Sequence, residues 1–185
     1  MEPDLQPDCT KCAALCCIAL HFDRGPGFAH DKPAGIPCRH LATDDTCTVY
    51  DRLEAKGYRG CVDYTCFGAG QRVVQEIFDG KSWQQHPDIL GAMSEAFRIL
   101  RPIHEKLVML NLCKDLPLSE RQANELAGIT SCVVSDDAPG ALLKVLENAR
   151  DWHAAADDFI SGLAQSTAIA GALRQGLKNP QTRNS

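Results

Sequence analysis

The sequence predicts a mainly α protein: a loop-rich, eight-cysteine metal-binding module packed on a C-terminal helical bundle. Three observations lead there. Beyond residue 70, apolar residues recur every three or four positions, the period of helix faces that cover a core. Between residues 23 and 66 turn formers crowd the chain (Gly25, Pro26, Gly27, Pro33, Gly35, Pro37, Gly57 and Gly60), and no helical period survives beyond a short stretch at 49–56. Eight of the ten cysteines fall between Cys9 and Cys66. A segment so poor in apolar anchors needs a staple, and a metal site supplies one. The expected organisation is a cysteine-cluster module over 1–70, a helical region over 71–178 and a mobile tail over 179–185.

Residues 1–8 form a polar lead-in, with Asp8 placed to cap a helix running to about Leu20. Asp23-Arg24-Gly25-Pro26-Gly27 breaks it. A helix begins within Gln71–Phe78. The stripe Ile89, Met93, Phe97, Leu100, His104, Leu107 and Leu110 predicts a long helix over 87–112, which Pro102 should kink or divide. Ser119-Glu-Arg-Gln122 has the form of a capping box for a short helix to about Ala127. Ile129 to Ser135 favours β structure, an isolated run. Asp137 is placed to cap a long helix bearing Leu142, Leu146, Ala149, Trp152, Ala156, Phe159 and Leu163, and a last helix is expected at about 167–177.

Composition excludes several classes. A formal net charge of −5, with Lys and Arg scattered among acids, gives no basic stripe for a phosphate backbone, so no nucleic-acid partner is expected. No apolar run approaches the ~20 residues that span a bilayer. The acidic Met1-Glu-Pro-Asp4 start does not read as a secretory signal, and a cytoplasmic location is expected.

That expectation bears on Cys9-x2-Cys12-x3-Cys16-Cys17. On one helix, at about 100° per residue, these thiols fall within an arc of about 140°. They are metal ligands, disulfide partners or small core hydrophobes. A reducing compartment favours metal or redox chemistry over disulfides. Thiolates hold zinc or iron at about 2.3 Å in near-tetrahedral sets of four. Cys-x2-Cys lets two sulfurs converge from one turn, and Cys61-x4-Cys66 can do so from a loop. Along an unbroken helix Cys9 and Cys17 stand about 12 Å apart, too far for one zinc. Eight thiols therefore imply two sites, one multinuclear centre, or one site with spare thiols. His40, two residues after Cys38, is either a ligand of a mixed site or an ordinary surface histidine; His21 and His30 are weaker candidates. Cys113 and Cys132 stand alone in apolar contexts and read as packed core thiols.

The order Cys-x2-Cys-x3-Cys-Cys, Gly-x-Pro-Cys38-x-x-Leu41, Cys47-Thr-Val-Tyr50-Asp-Arg52, Cys61 and Cys66 resembles the bacterial YkgJ-like cysteine-cluster family, over about residues 9–66. The family's usual Arg-Pro stands here as Arg52-Leu53. The resemblance implies chelation of zinc or iron by Cys9, Cys12, Cys16, Cys17, Cys38, Cys47, Cys61 and Cys66, an iron–sulfur cluster being one form of it. A flagellin lysine methylase with a similar array keeps such a cluster in view, but its chemistry does not carry over. No GxGxxG, P-loop, HExxH or GxSxG occurs, and Gly68-Ala-Gly70-Gln-Arg is too short for a dinucleotide fingerprint. Three readings follow: a metal-binding protein with a structural, metal-handling or electron-supplying role; a redox or modification enzyme; and a metal-stapled module whose helical half docks a protein partner.

Overall fold

The computed structural model describes residues 2–133 and 138–165, side chains of 138–141 excepted. Among these residues the protein is mainly helical. Its helices are α1 (Leu15–Ala19), α2 (Arg59–Asp63), α3 (Ala69–Arg72), α4 (Leu90–Cys113), α5 (Glu120–Ser131), α6 (Ala138–Glu147) and α7 (Ala149–Ala164). A π-helical turn, Val73–Ile77, extends α3, and short 3-10 turns lie at Cys9–Lys11, Tyr50–Arg52, Glu54–Lys56 and Pro87–Ile89. Extended pairing among the described residues is confined to isolated antiparallel bridges, Phe22 with Lys32, Gly25 with Phe28 and Leu41 with Cys47.

Helix α4 is the axis of the core. Its stripe buries Met93, Phe97, Leu100, His104, Leu107 and Leu110, with Ala96 and Ile103 alongside. One face receives α1, whose Leu15 and Ile18 are fully buried; others receive α3 and α7. Leu126 of α5 and Trp152, Ala156, Phe159 and Leu163 of α7 complete the apolar cluster. Between residues 23 and 66, by contrast, only Lys32, Val49 and Tyr58 are buried. The loop segment contributes almost nothing to the core.

Several local expectations change. Pro102 does not divide α4, which runs unbroken through it from Leu90 to Cys113. Leu100, Ile103 and Leu107 stay in one register on the core, and their burial outweighs the ~3 kcal/mol that an interior proline costs. The capping box forms: Ser119 accepts from the Gln122 N–H, and Gln122 accepts from the Ser119 N–H at 2.9 Å. Its helix runs on to Ser131, so Ile129 and Thr130 are helical where β structure was expected. Thr130 turns inward and donates to the Leu126 carbonyl at 2.9 Å, and packing overrides its β preference. The long helix expected from residue 137 is two. Asn148, at φ −106° and ψ 19°, donates its side-chain amide to the Lys144 carbonyl at 2.8 Å and separates α6 from α7. The Asp137 cap, the helix at 167–177 and the tail at 179–185 lie outside the described residues.

Candidate metal centre

The first four cysteines do not share one helix. Asp8 accepts from the Thr10 N–H at 3.0 Å, as a cap should, but the helix it starts is a single 3-10 turn ending at Lys11. The chain then reverses at Ala14, in the left-handed region at φ 50°, and restarts as α1. This corner lets Ala13, Leu15 and Ile18 all reach the core, and the Trp83 indole donates to the Ala13 carbonyl at 2.8 Å to hold it. The corner removes the 12 Å separation that a continuous helix would impose on Cys9 and Cys17. Cys9 and Cys12 come from the turn, Cys16 and Cys17 from α1.

The later cysteines are brought back by backbone pairing. Cys38 N–H donates to the Cys17 carbonyl at 2.9 Å, and the Leu41–Cys47 bridge folds Cys47 against the same strip. Cys61 sits on α2, which Gly60 docks by donating its N–H to the Gly27 carbonyl at 2.9 Å. A Cβ on Gly60 would stand 2.3 Å from the Phe28 ring, so only glycine fits under that aromatic. Cys66 precedes a turn in which Phe67 and Gly68 both take positive φ, 51° and 75°, leading into α3. There Gly70 faces Cys12: a Cβ would lie 2.6 Å from its sulfur. Gln71 and Gln75 reach across to the carbonyls of Gln6 and Lys11, each at 3.0 Å, pinning the N-terminal turn to α3.

All ten cysteines are free thiols. Cys12, Cys16 and Cys66 pack against the apolar core. Burial pushes the Cys12 thiol up to about 12 and Cys61 up to about 11, and raises Cys9, Cys38 and Cys47. After burial, neighbouring thiols do the rest. Cys12 is raised by Cys66 and Cys9, Cys61 by Cys17, Cys38 and Cys47, and Cys47 by Cys17 and Cys38. Cys16 donates its S–H to Cys17. That bond holds Cys16 well above and Cys17 below the ordinary thiol, with the Lys32 ammonium also lowering Cys17. Sulfurs from the N-terminal turn, α1, the 38–47 loop, α2 and the turn at Cys66 thus act on one another. Among the described residues, no three His, Cys, Asp or Glu side chains already stand in a metal-holding group.

A curated relative exists. The uncharacterized protein YybG of Bacillus subtilis (strain 168) is 39% identical over 123 residues, covering 66% of this chain and 44% of that protein. The chain thus spans less than half the length of the curated relative it matches. No family model matches the chain. No solved structure matches it either.

Two cations that sequence reasoning did not single out lie in this region, Lys32 beside the thiols and Arg101 over the aromatic rings that flank Cys66. Lys32 is 3% exposed, and its ammonium donates to the carbonyls of Ile36 at 3.0 Å, Pro33 at 3.2 Å and Ile18 at 3.4 Å. Burial lowers it, while Cys38, Cys17 and Cys16 act to raise it. Nothing in Asp31-Lys32-Pro33 signals this role. Arg101 lies 5.7 Å over the Tyr64 ring and 5.8 Å over that of Phe67. The buried Tyr64 hydroxyl and Arg101 Nε have no hydrogen-bond partner. Burial raises the Tyr64 phenol first, and Cys16 and Cys66 raise it further.

The histidines divide differently from expectation. His40 Nε2 lies 2.9 Å from the Tyr58 hydroxyl, which lies 3.0 Å from His30 Nδ1, so one phenol bridges both rings. His21 is exposed. His104, counted among the apolar stripe, is fully buried: Nδ1 donates to the Phe67 carbonyl at 2.6 Å, and Arg72 Nη1 stands 3.4 Å from Nε2. Arg72 in turn donates to the Val133 carbonyl at 2.7 Å and pairs with Glu76 at 2.9 Å. This polar chain ties the turn after Cys66 to α4. A histidine in an otherwise apolar register was its signal. Cys113 packs at the edge of the core, donating to the Met109 carbonyl at 3.3 Å. Cys132, expected to be buried, is exposed. It follows the last turn of α5, where its neighbour Val133 takes the core position instead.

Proposed function

We propose that this is a metal-binding protein in which Cys9, Cys12, Cys16, Cys17, Cys38, Cys47, Cys61 and Cys66 chelate zinc or iron, the iron as an iron–sulfur centre, in a structural, metal-handling or electron-supplying role. One observation carries the reading. Eight free thiols stand in the N-terminal third, and six of them, Cys9, Cys12, Cys16, Cys38, Cys47 and Cys61, are raised by burial and by neighbouring thiols, so that ionising any of these six alone is opposed. A bound cation reverses that balance, because thiolate ligands lose their protons to the metal. The donor set fits such an ion: eight soft sulfurs, with Lys32 beside Cys17 and Cys38 and the unpartnered Tyr64 hydroxyl near Cys16 and Cys66. The resemblance to the YkgJ-like cysteine-cluster family points the same way. A cytoplasmic, reducing setting accords with it, since it keeps the thiols available.

The test is anaerobic purification of the full chain, with zinc, iron and acid-labile sulfide measured per chain and a visible spectrum recorded. Brown protein with matched iron and sulfide selects the cluster; colourless protein with zinc selects the mononuclear form. Protein that carries neither, and takes up neither on reconstitution with thiols reduced, refutes the reading.

A further inference from the structure

Resting on that reading, we propose that Tyr64 is a hydrogen-bond donor to the metal-bound thiolates, its hydroxyl meeting the sulfur of Cys66 or Cys16, and that Arg101 of α4 is the positioning residue that holds its ring in place.

An unmet donor points there. The Tyr64 hydroxyl is closed off from solvent and has no hydrogen-bond partner, a condition it shares among the described residues with Arg101 Nε alone. A buried donor left unmet costs free energy, and so it marks a group whose acceptor arrives with something else. The guanidinium beside it cannot be that acceptor, because arginine only donates. A neutral thiol accepts weakly, whereas an ionised acceptor makes a bond about twice as strong. The hydroxyl is therefore satisfied once a neighbouring sulfur has lost its proton, and metal binding is what removes that proton.

The surrounding turn fixes the ring. Tyr64 and Phe67 bracket Cys66, and Arg101 lies 5.7 Å over the first ring and 5.8 Å over the second. Its Nη1 donates to Glu105, one turn further along α4, at 2.8 Å. From the same stretch of helix His104 donates to the Phe67 carbonyl at 2.6 Å, while the Phe67 N–H donates to Thr65 Oγ1 at 3.1 Å. Phe67 sits at φ 51°, a conformation side chains rarely adopt, so these contacts and not its own preference determine the turn. Cys66 packs on the apolar core within this turn. Cys16 does so from α1, which also lies on α4. After burial, these two thiols are what raises the phenol further. A ring so held presents its hydroxyl to the centre before any metal arrives, as an outer donor must.

Tyr64→Phe removes one oxygen and leaves the ring under Arg101, so its effect should depend on the metal. The full chain is purified anaerobically as wild type and variant, the iron or zinc it carries is drawn out with a chromophoric chelator, and urea melts are run on loaded and stripped protein. Stripped, the variant should be at least as stable as wild type, because an unmet hydroxyl is gone. Loaded, it should lose half its metal at a chelator concentration roughly ten- to a hundredfold lower. Arg101→Met should weaken retention too, but add nothing on top of Tyr64→Phe, since it acts through that ring. Retention equal to wild type in Tyr64→Phe overturns the proposal. So does a variant weakened alike in both states, which would make the hydroxyl a support of the fold. A double variant that loses metal more readily than Tyr64→Phe removes Arg101 from the arrangement. Wild type that neither carries nor takes up metal refutes the proposed function itself, a failure read on wild type alone.

Discussion

A methyl group on Gly70 would stand 2.6 Å from the Cys12 sulfur, and no contact that short survives. Gly70 lies in ordinary helical geometry, so Gly70→Ala meets no backbone penalty and acts on the thiol alone. It should destabilise by roughly 1–3 kcal/mol, read from urea melts, and weaken metal retention against a chelator. An unchanged chelator titration would mean that Cys12 is no ligand. Lys32 offers a second test. Lys32→Met keeps most of the hydrocarbon stem but removes the donor shared by three carbonyls, and should cost about 1–3 kcal/mol. Metal should also be released faster, because the positive charge beside Cys17 and Cys38 is gone. Release at the wild-type rate would show that the ammonium serves the backbone alone.

Helix α4 couples the bundle to the turn after Cys66 through His104. Burial holds this imidazole at about 4, against an ordinary 6.5, with Arg72 lowering it further and the Phe67 carbonyl opposing. An unfolded chain takes up the proton below about 6.5, and the folded chain refuses it until about 4. Stability present above pH 6.5 is therefore lost as pH falls across that window, by roughly 3 kcal/mol at its foot. In His104→Leu that loss is absent, so the stability gap between wild type and variant should narrow from pH 7 to pH 4 in paired urea melts. A constant gap would show that His104 titrates alike in both states. The same helix explains why Pro102 is tolerated: its neighbours are held by burial, not by the hydrogen bond the ring forgoes.

Across the whole molecule, order rests on two supports of different kinds. The helices share one apolar cluster running from Ala13 to Leu163. The loops of 23–66 bury three side chains and lean on polar contacts and, on our reading, metal. Chelation under reducing conditions should thus raise amide exchange over 23–66 while α4 stays protected, read by hydrogen exchange. Cys12→Ser and Cys16→Ser should lower metal content and loosen the same loops. Cys132→Ser should leave both unchanged, since that thiol is exposed and only donates to the Gly128 carbonyl at 3.4 Å. Equal metal loss in all three would erase the distinction between ligand and bystander cysteines.

Much of this was readable in the chain as written. The period of apolar residues over 89–110 named the buried face of α4 almost residue for residue, because burial repeats with the helical turn. Ser119 to Gln122 announced its own cap, a contact made within four residues. The clustering of Cys9 to Cys66 and the scarcity of apolar anchors among them were likewise local facts. What depended on distance along the chain was not readable. The reversal at Ala14 is decided by Leu15, Ile18 and Trp83 competing for the core, and it alone separates the first cysteine pair from the second. Lys32, Arg101, Gly70 and His104 take their meaning from partners up to tens of residues away. Sequence determines which side chains can bury and which atoms can ligate. Only the folded chain decides which of them meet, because meeting is settled by long-range packing and not by any residue's own preference.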